Sequence, residues 1–272
     1  ILSGLVGSEM CIRDRFWSGG FGTLGAYRQH LQPYRSPDLD KIPAEFRGPD
    51  DLWVGTNVHI MVLMVNERQL KGLPAPATWS DLMQPQWKGK FAITDPSKSG
   101  TAYMLVYGLY KQFGQEGLDR IAANAVVTAS SGTTYKGVAA GEYAVGMTLE
   151  YAAQEYVAGG QKEIKLVYPS EGSYLAPEGM FIIKGAKNLD AAKALYDGLL
   201  SKASQEAQLV KNFRRPTRTD VAVASLTTLP DLSTVKIFPV SQEAAATEYE
   251  AVVAAWNQAV AQALSLIHIS EP

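Results

Sequence analysis

Lys90-Phe-Ala-Ile-Thr-Asp-Pro-Ser-Lys-Ser-Gly-Thr101 combines three local patterns in one short segment. Its apolar beginning predicts a strand that ends at Thr94. Asp95–Gly100 has the composition of a turn, and a helix is predicted from Thr101 to Phe113. A strand that leads through a short turn into a helix is typical of folds in which helices are layered on a sheet, so the segment predicts an α/β protein.

The same alternation continues on both sides of this segment. Val58-His-Ile-Met-Val-Leu-Met-Val65 is apolar apart from His59 and predicts a buried strand. Thr78-Trp-Ser-Asp81 has the spacing of a capping box, which predicts a short helix ending before Pro85. Further strands are predicted at 143–148, 164–168 and 180–184, and further helices at 115–123, 149–157, 188–200, from 204 onward and at 241–263.

Composition excludes several classes of protein. The 272 residues are 46% hydrophobic and 19% charged, which is typical of a folded chain and not of a disordered one. The net charge of −2 gives no electrostatic reason to expect a nucleic acid as partner. The longest apolar run, Val58–Val65, is far shorter than the ~20 residues that a membrane-spanning helix needs.

The two ends of the chain can be encoded by opposite strands of one short DNA. Codons chosen for Leu264–Pro272 have a reverse complement that reads, in one frame, as the residues of Gly7–Asp14. This DNA resembles the transposon end used to prepare sequencing libraries. We therefore interpret residues 1–15 and 264–272 as adapter artefacts, exclude them from fold reasoning, and expect the natural gene to be truncated at both ends.

Few residues remain for covalent or metal chemistry. The single cysteine, Cys11, lies in the excluded N-terminal segment, which leaves neither thiol chemistry nor a disulfide. His30 and His59 are not at the spacing of metal ligands, and no H-E-x-x-H motif occurs. We therefore predict no catalytic residue, no metal site and no cofactor, and we do not expect an enzyme.

Two segments rich in small hydroxyl side chains precede predicted helices. They are Ser97-Lys-Ser-Gly-Thr101 and Ser130-Ser-Gly-Thr-Thr134. A helix N-terminus carries unpaired amides and a partial positive charge, so it favours an anion. Ordinary helix capping by Ser and Thr is the alternative interpretation of both segments.

Two other places could contribute to such a site. Trp17-Ser-Gly-Gly-Phe-Gly22 is predicted to be a third loop of this kind, with a plain surface turn as the alternative. Glu150 and Tyr151 follow a predicted strand, where a carboxylate suits an amine or hydroxyl and a tyrosine suits an anion or stacking. A solvated helix start is the alternative for this pair.

Seven segments, in this order, resemble substrate-binding proteins of ABC transporters of the ferric-iron and sugar-phosphate type. They are Trp17-Ser-Gly-Gly20, Pro76-Ala-Thr-Trp-Ser-Asp-Leu82, Pro85-Gln-Trp-Lys-Gly-Lys90, Asp95-Pro-Ser-Lys-Ser-Gly-Thr101, Val138-Ala-Ala-Gly-Glu-Tyr-Ala-Val-Gly146, Val167-Tyr-Pro-Ser-Glu-Gly172 and Ile183-Lys-Gly-Ala-Lys-Asn188. The resemblance implies a two-lobed periplasmic-binding-protein fold (type II) whose lobes close on a ligand, with an incomplete N-terminal lobe. We expect part of lobe 1 at 16–67, lobe 2 at 68–167, and a return to lobe 1 with the C-terminal helices at 168–263.

The resemblance also implies site residues. In this family an S-G-(A/T) segment at a helix start holds an anion, which corresponds to Ser99, Gly100 and Thr101. Iron-binding members have two adjacent tyrosines where this chain has Tyr151 and Ala152, and a hard ferric ion does not readily do without that pair. The expected ligand-binding residues are Ser18, Gly19, Gly20, Ser99, Gly100, Thr101, Ser131, Thr133, Thr134, Glu150 and Tyr151.

The expected function is that of a monomeric periplasmic protein that delivers a small anionic solute to an inner-membrane ABC permease. The anion is expected to be a phosphate or phosphonate, such as a sugar phosphate or 2-aminoethylphosphonate, held in a cleft between the lobes, with Glu150 at the other end of the solute. The export signal is expected to be lost by truncation. The alternatives are a ferric-binding protein that uses Tyr151, an enzyme on the same scaffold, and a binder of other small anions or carboxylates.

Overall fold

A computed structural model describes residues 14–20 and 25–269. They divide into two compact units. Unit 1 contains the described residues up to Val58 together with Pro177–Leu229, and unit 2 contains His59–Ala176 together with the described residues from Pro230 onward. The chain therefore passes from one unit to the other at three points.

The elements alternate as expected for an α/β protein. The strands are β1 Arg15–Gly20, β2 Leu31–Gln32, β3 Val54–Asn66, β4 Phe91–Thr94, β5 Ala125–Thr128, β6 Val145–Leu149, β7 Ile164–Val167, β8 Leu175–Ile183 and β9 Arg215–Pro216. The α-helices are α1 Gly100–Asn124, α2 Ser131–Ala140, α3 Glu150–Ala158, α4 Leu189–Leu200, α5 Lys202–Asn212, α6 Val223–Leu226, α7 Gln242–Thr247 and α8 Tyr249–Ile269. Short 3-10 turns lie at Gly25–His30, Leu39–Lys41, Ala44–Phe46, Pro49–Asp51, Glu67–Gln69, Ser80–Met83, Pro85–Trp87 and Leu232–Thr234.

Unit 2 is built on strands whose ends lie close together. Strand β4 pairs in parallel with β5 and with β6, and β6 pairs antiparallel with β3. Thr94 and Thr128, the last residues of β4 and β5, are partners in the register. Because β4, β5 and β6 are followed by α1, α2 and α3, three helices begin at the same edge of the sheet.

Helix α1 covers the sequence predicted as two helices. Gly114 has φ +66°, a conformation that glycine adopts readily, and it interrupts the helical dihedrals at the expected boundary. Gly108 lies against Tyr174, since a Cβ there would come within 2.4 Å of the tyrosine ring. The Tyr174 ring in turn stacks on Trp79 at 5.3 Å, which anchors α1 in the core of unit 2.

The C-terminal helix packs in unit 2. The sequence predicts a return to lobe 1 together with the C-terminal helices at 168–263, and α8, at the end of this range, belongs to unit 2. The reason is its apolar face: Val252, Trp256 and Ala259 are buried in the same core as α1. Tyr103 of α1 adds a ring contact to Tyr249 at 4.7 Å.

Unit 1 contains a second set of paired strands. Strand β8 pairs antiparallel with β1 and β2, and β3 pairs with β9. Helix α4 packs on this sheet through Ala192, Tyr196 and Leu200, which share a core with Met180 and Ile182.

Local predictions succeed in part. Thr78 and Asp81 form the predicted capping box, with Thr78 N donating to Asp81 Oδ2 at 2.9 Å and Asp81 N donating to Thr78 Oγ1 at 3.0 Å.

Asn188 does not cap α4 with its side chain. Its backbone and side-chain nitrogens donate to the buried carboxylate of Asp14. Asp14, which the sequence assigns to the adapter segment, is therefore part of the fold of unit 1.

Candidate functional site

Two capped helix N-termini meet in unit 2. Ser99 precedes α1 and accepts a hydrogen bond from Ala102 N at 3.4 Å, and Ser130 precedes α2 and accepts one from Thr133 N at 3.1 Å. The hydroxyls of Ser99 and Ser131 are 3.2 Å apart. The two segments identified from the sequence therefore converge on one place.

The half-buried hydroxyls at this place form what we call the open hydroxyl cluster: Ser99, Thr101 and Ser131. Ser99 Oγ lies 2.9 Å from Thr101 Oγ1 and 3.2 Å from Ser131 Oγ. The amides of Gly100 and Thr101 precede the first backbone hydrogen bond of α1, which Tyr103 N donates to Ser99 O at 2.9 Å. Hydroxyl and amide donors at two helix starts can surround the oxygens of one anion.

A second group, the closed hydroxyl cluster, lies at the strand ends and consists of Thr94, Thr128 and Thr134. Thr134 Oγ1 is 2.8 Å from Thr94 Oγ1 and 2.7 Å from Thr128 Oγ1. All three side chains are buried, and Thr134 is 0% exposed. These hydroxyls satisfy one another and tie the first turn of α2 to β4 and β5.

A small pocket lies between the two clusters. Its lining includes the hydroxyl residues Thr94, Thr101, Ser131 and Thr148, and the rest is apolar: Met61, Ala102, Leu105, Met147 and Leu149. Thr148 is 4% exposed, and its Oγ1 has no hydrogen-bond partner among the described residues. The lining contains no ionisable side chain, so its polarity comes from hydroxyls and helix N-termini.

Glu150 and Tyr151 lie at the start of α3, outside the lining of this pocket. Glu150 is 2% exposed and accepts a hydrogen bond from Tyr168 Oη at 2.5 Å. The Tyr151 ring lies 5.2 Å from the His59 ring. The alternative interpretation of this pair, a solvated helix start, is therefore wrong for Glu150.

The third predicted loop is a strand. Ser18, Gly19 and Gly20 belong to β1, which pairs with β8, and the register shifts between Trp17 and Gly20. The glycines are thus placed in backbone pairing with a bulge and not in a helix-start loop, which corrects the prediction. Residues 21–24, at the end of the quoted segment, lie outside the described residues.

The second segment also differs from the prediction in its details. Thr133 is exposed, and its Oγ1 lies 2.9 Å from the capping oxygen of Ser130, as expected for ordinary capping. Thr134 is buried, and its hydroxyl bonds to those of Thr94 and Thr128 in the closed hydroxyl cluster. Of this segment, only Ser131 joins the pocket lining.

No pattern in the sequence directly indicates Thr94 or Thr148. Both occur at or near strand ends in the segments predicted as strands, but periodicity does not tell which strand ends become neighbours. Strands β4 and β6 pair in parallel, and Thr94 and Thr148 both line the pocket.

Comparison with known proteins identifies the class of protein to which this chain belongs. Residues 11–239 match the family model described as "Bacterial extracellular solute-binding protein", and the chain belongs to this family. The family is one of binding proteins, which confirms the expectation of a binder and not an enzyme. Within the described residues, no helix is both long and apolar enough to cross a bilayer.

Individual relatives show the range of the family. An uncharacterised protein of Haemophilus influenzae is 31% identical over 211 residues, covering 70% of this chain and 59% of the relative. An Fe(3+)-binding periplasmic protein of Serratia marcescens is 25% identical over 193 residues, covering 66% of this chain and 56% of the relative. The chain thus spans less than two thirds of the length of these curated relatives.

A solved structure extends the comparison to the fold. The periplasmic binding protein AfuA from Actinobacillus pleuropneumoniae, determined with fructose 6-phosphate bound, is 28% identical with a TM-score of 0.81, covering 91% of this chain and 82% of that one. The two-lobed α/β fold of periplasmic binding proteins is thereby confirmed.

Proposed function

We propose that this protein is the solute-binding component of an ABC importer and that it binds a small solute through a phosphate or phosphonate group. The observation that carries the proposal is the convergence of two helix N-termini at the open hydroxyl cluster, where Ser99 Oγ lies 3.2 Å from Ser131 Oγ. Similarity to a binding protein determined with fructose 6-phosphate supports the same class of solute.

The chemistry of the cluster matches a tetrahedral oxyanion. A phosphoryl group presents several acceptor oxygens, and the cluster offers hydroxyls and amides from two directions. Hydrogen bonds to a charged group contribute about 1.5–3 kcal/mol each, and each helix N-terminus adds about 0.3–1 kcal/mol. Micromolar affinity requires about −8 kcal/mol, which several such contacts supply without any cationic side chain.

A periplasmic location and delivery to an inner-membrane permease belong to the same proposal. They are supported by family membership and by the curated relative named as a periplasmic protein. In this role the protein acts as a monomer and carries out no covalent chemistry.

Ferric iron is the second candidate solute, because the Serratia marcescens relative is named as a ferric-binding protein. Tyr151 lies next to the His59 ring and could supply one phenolate. The neighbouring position is Ala152, which is 1% exposed and offers no ligand atom. Addition of ferric citrate tests this candidate, since a tyrosinate-to-iron absorption band would appear only if iron binds through tyrosine.

The decisive variant for the proposed function is Ser99→Ala combined with Thr101→Val. Both substitutions remove hydroxyls from the open hydroxyl cluster and preserve most of the side-chain volume. We expect affinity for fructose 6-phosphate or 2-aminoethylphosphonate, measured by calorimetry, to fall at least about tenfold.

Ser241→Ala is the matched control. Ser241 also caps a helix of unit 2, accepting from Ala244 N at 3.1 Å, but it belongs to neither hydroxyl cluster. The Ser241→Ala variant should lose about 1 kcal/mol in the free energy of unfolding and bind the solute as tightly as the unaltered protein. Unchanged affinity in the double variant would remove these hydroxyls from the binding site.

A further inference from the structure

We propose that Thr148 is an additional solute-binding residue, whose hydroxyl donates a hydrogen bond to an oxygen of the anionic group. The inference rests on the proposed function, because it places Thr148 beside the same bound group as the open hydroxyl cluster. It assigns a ligand-binding role to a strand residue that is not part of a helix-start segment.

The first observation is an unsatisfied polar atom. Thr148 is 4% exposed, and its Oγ1 has no hydrogen-bond partner within the described part of the chain. Buried hydroxyls in proteins are nearly always hydrogen-bonded, so such an atom requires an explanation. The buried threonines nearby do not share this feature, because Thr94, Thr128 and Thr134 bond to one another.

The second observation is the position of Thr148. It lines the same pocket as Thr101 and Ser131, which belong to the open hydroxyl cluster. The parallel register of β4 and β6 pairs Phe91 with Val145 and Ala92 with Gly146, and Thr94 and Thr148, which lie further along these strands, both line the pocket. Thr148 therefore approaches the pocket from the sheet, whereas Thr101 and Ser131 approach it from the helices.

The remaining lining cannot satisfy this hydroxyl. Met61, Leu105 and Met147 offer carbon or weakly accepting sulfur. Thr94 is already committed to Thr134 at 2.8 Å. No partner for this hydroxyl is present among the described residues, and an anion held at the helix starts would bring strong oxygen acceptors close to it.

Thr148→Val tests the proposal because it replaces the hydroxyl with a methyl group of similar size. Calorimetry with inorganic phosphate and with fructose 6-phosphate should show about a tenfold or greater loss of affinity. Without solute, the thermal midpoint should be unchanged or higher, because the substitution removes an unpartnered buried hydroxyl. Thr148→Ser, which keeps the hydroxyl, should retain most of the affinity.

Thr217→Val is the matched control. Thr217 is a buried threonine of unit 1, outside the pocket, whose hydroxyl donates to Gly55 O at 2.7 Å. The Thr217→Val substitution should lower the thermal midpoint of unfolding without the tenfold loss of solute affinity expected for Thr148→Val.

The outcomes separate this inference from the proposed function. If Ser99→Ala with Thr101→Val weakens binding but Thr148→Val does not, the proposed function stands and Thr148 is not a solute ligand. Thr148→Val should not lower the thermal midpoint of the unliganded protein as Thr217→Val does. If it does lower it, the Thr148 hydroxyl has a partner within the fold, such as a fixed water, and Thr148 is excluded as a solute ligand. If the unaltered protein binds neither the two phosphate compounds nor 2-aminoethylphosphonate, the proposed function fails and this inference fails with it.

Discussion

The open and closed hydroxyl clusters of unit 2 are made of the same chemical group but differ in their surroundings. In the closed cluster, Thr134 is fully buried and lies within 2.8 Å of both Thr94 and Thr128. In the open cluster, Ser99 and Ser131 are only half-buried and lie at helix starts whose amides precede the first helical hydrogen bond. One set of hydroxyls is satisfied by the fold, and the other can exchange its partners for a ligand.

This difference shows why hydroxyl content alone does not identify a binding site. A buried and mutually bonded hydroxyl stabilises the structure, and its removal leaves its partners unsatisfied. A half-buried hydroxyl at a helix start can instead replace the water around an anion. The two clusters should therefore differ in their response to substitution: affinity should change in the open cluster only, and apart from the α1 cap at Ser99 the larger loss of stability should come from the closed cluster.

The largest expected effect is on stability and comes from the closed cluster. Thr134→Val removes the central hydroxyl and leaves Thr94 and Thr128 without their short hydrogen bonds. We expect a loss of about 1–3 kcal/mol in the free energy of unfolding, measured by urea denaturation without solute. A variant as stable as the unaltered protein would contradict the structural role assigned to this cluster.

Next comes a single substitution in the open cluster. Ser131→Ala removes a hydroxyl that lies 3.2 Å from Ser99 Oγ. Affinity for fructose 6-phosphate should fall about tenfold, while stability without solute should change by less than about 0.5 kcal/mol. If stability falls and affinity does not, the two clusters do not differ in the way proposed.

The smallest expected effect concerns pH. The pocket lining contains no ionisable side chain, so the pH dependence of affinity should follow the solute alone. The second ionisation of a phosphate ester has a pKa near 6, and the dianion is the better acceptor for hydroxyl and amide donors. Affinity should therefore rise a few-fold between about pH 5 and pH 8. A bell-shaped profile would indicate a titrating protein group at the site.

The sequence predicts what is local in this fold. The strand–turn–helix segment at residues 90–101, the capping box of Thr78 and Asp81, and the helix break at Gly114 all follow from side-chain hydrogen bonding and backbone freedom within a few residues. The two hydroxyl segments could likewise be recognised as candidate anion-binding helix starts, since capping residues precede their own helices.

What depends on tertiary packing could not be predicted. The pairing of β4 with β5 and β6 determines that Ser131 faces Ser99, that Thr134 is buried and that Thr148 reaches the pocket. The C-terminal helix joins unit 2 because Trp256 packs into a core formed by residues far away in sequence. Ser18, Gly19 and Gly20 form a strand because β8 provides a pairing partner.

The central claim is that the open hydroxyl cluster holds the anionic group of the solute. A crystal structure of the complex with fructose 6-phosphate tests it most directly. The account predicts phosphate oxygens within hydrogen-bonding distance of the hydroxyls of Ser99, Thr101 and Ser131. A phosphate bound elsewhere, with these three hydroxyls bonded only to one another, would contradict it.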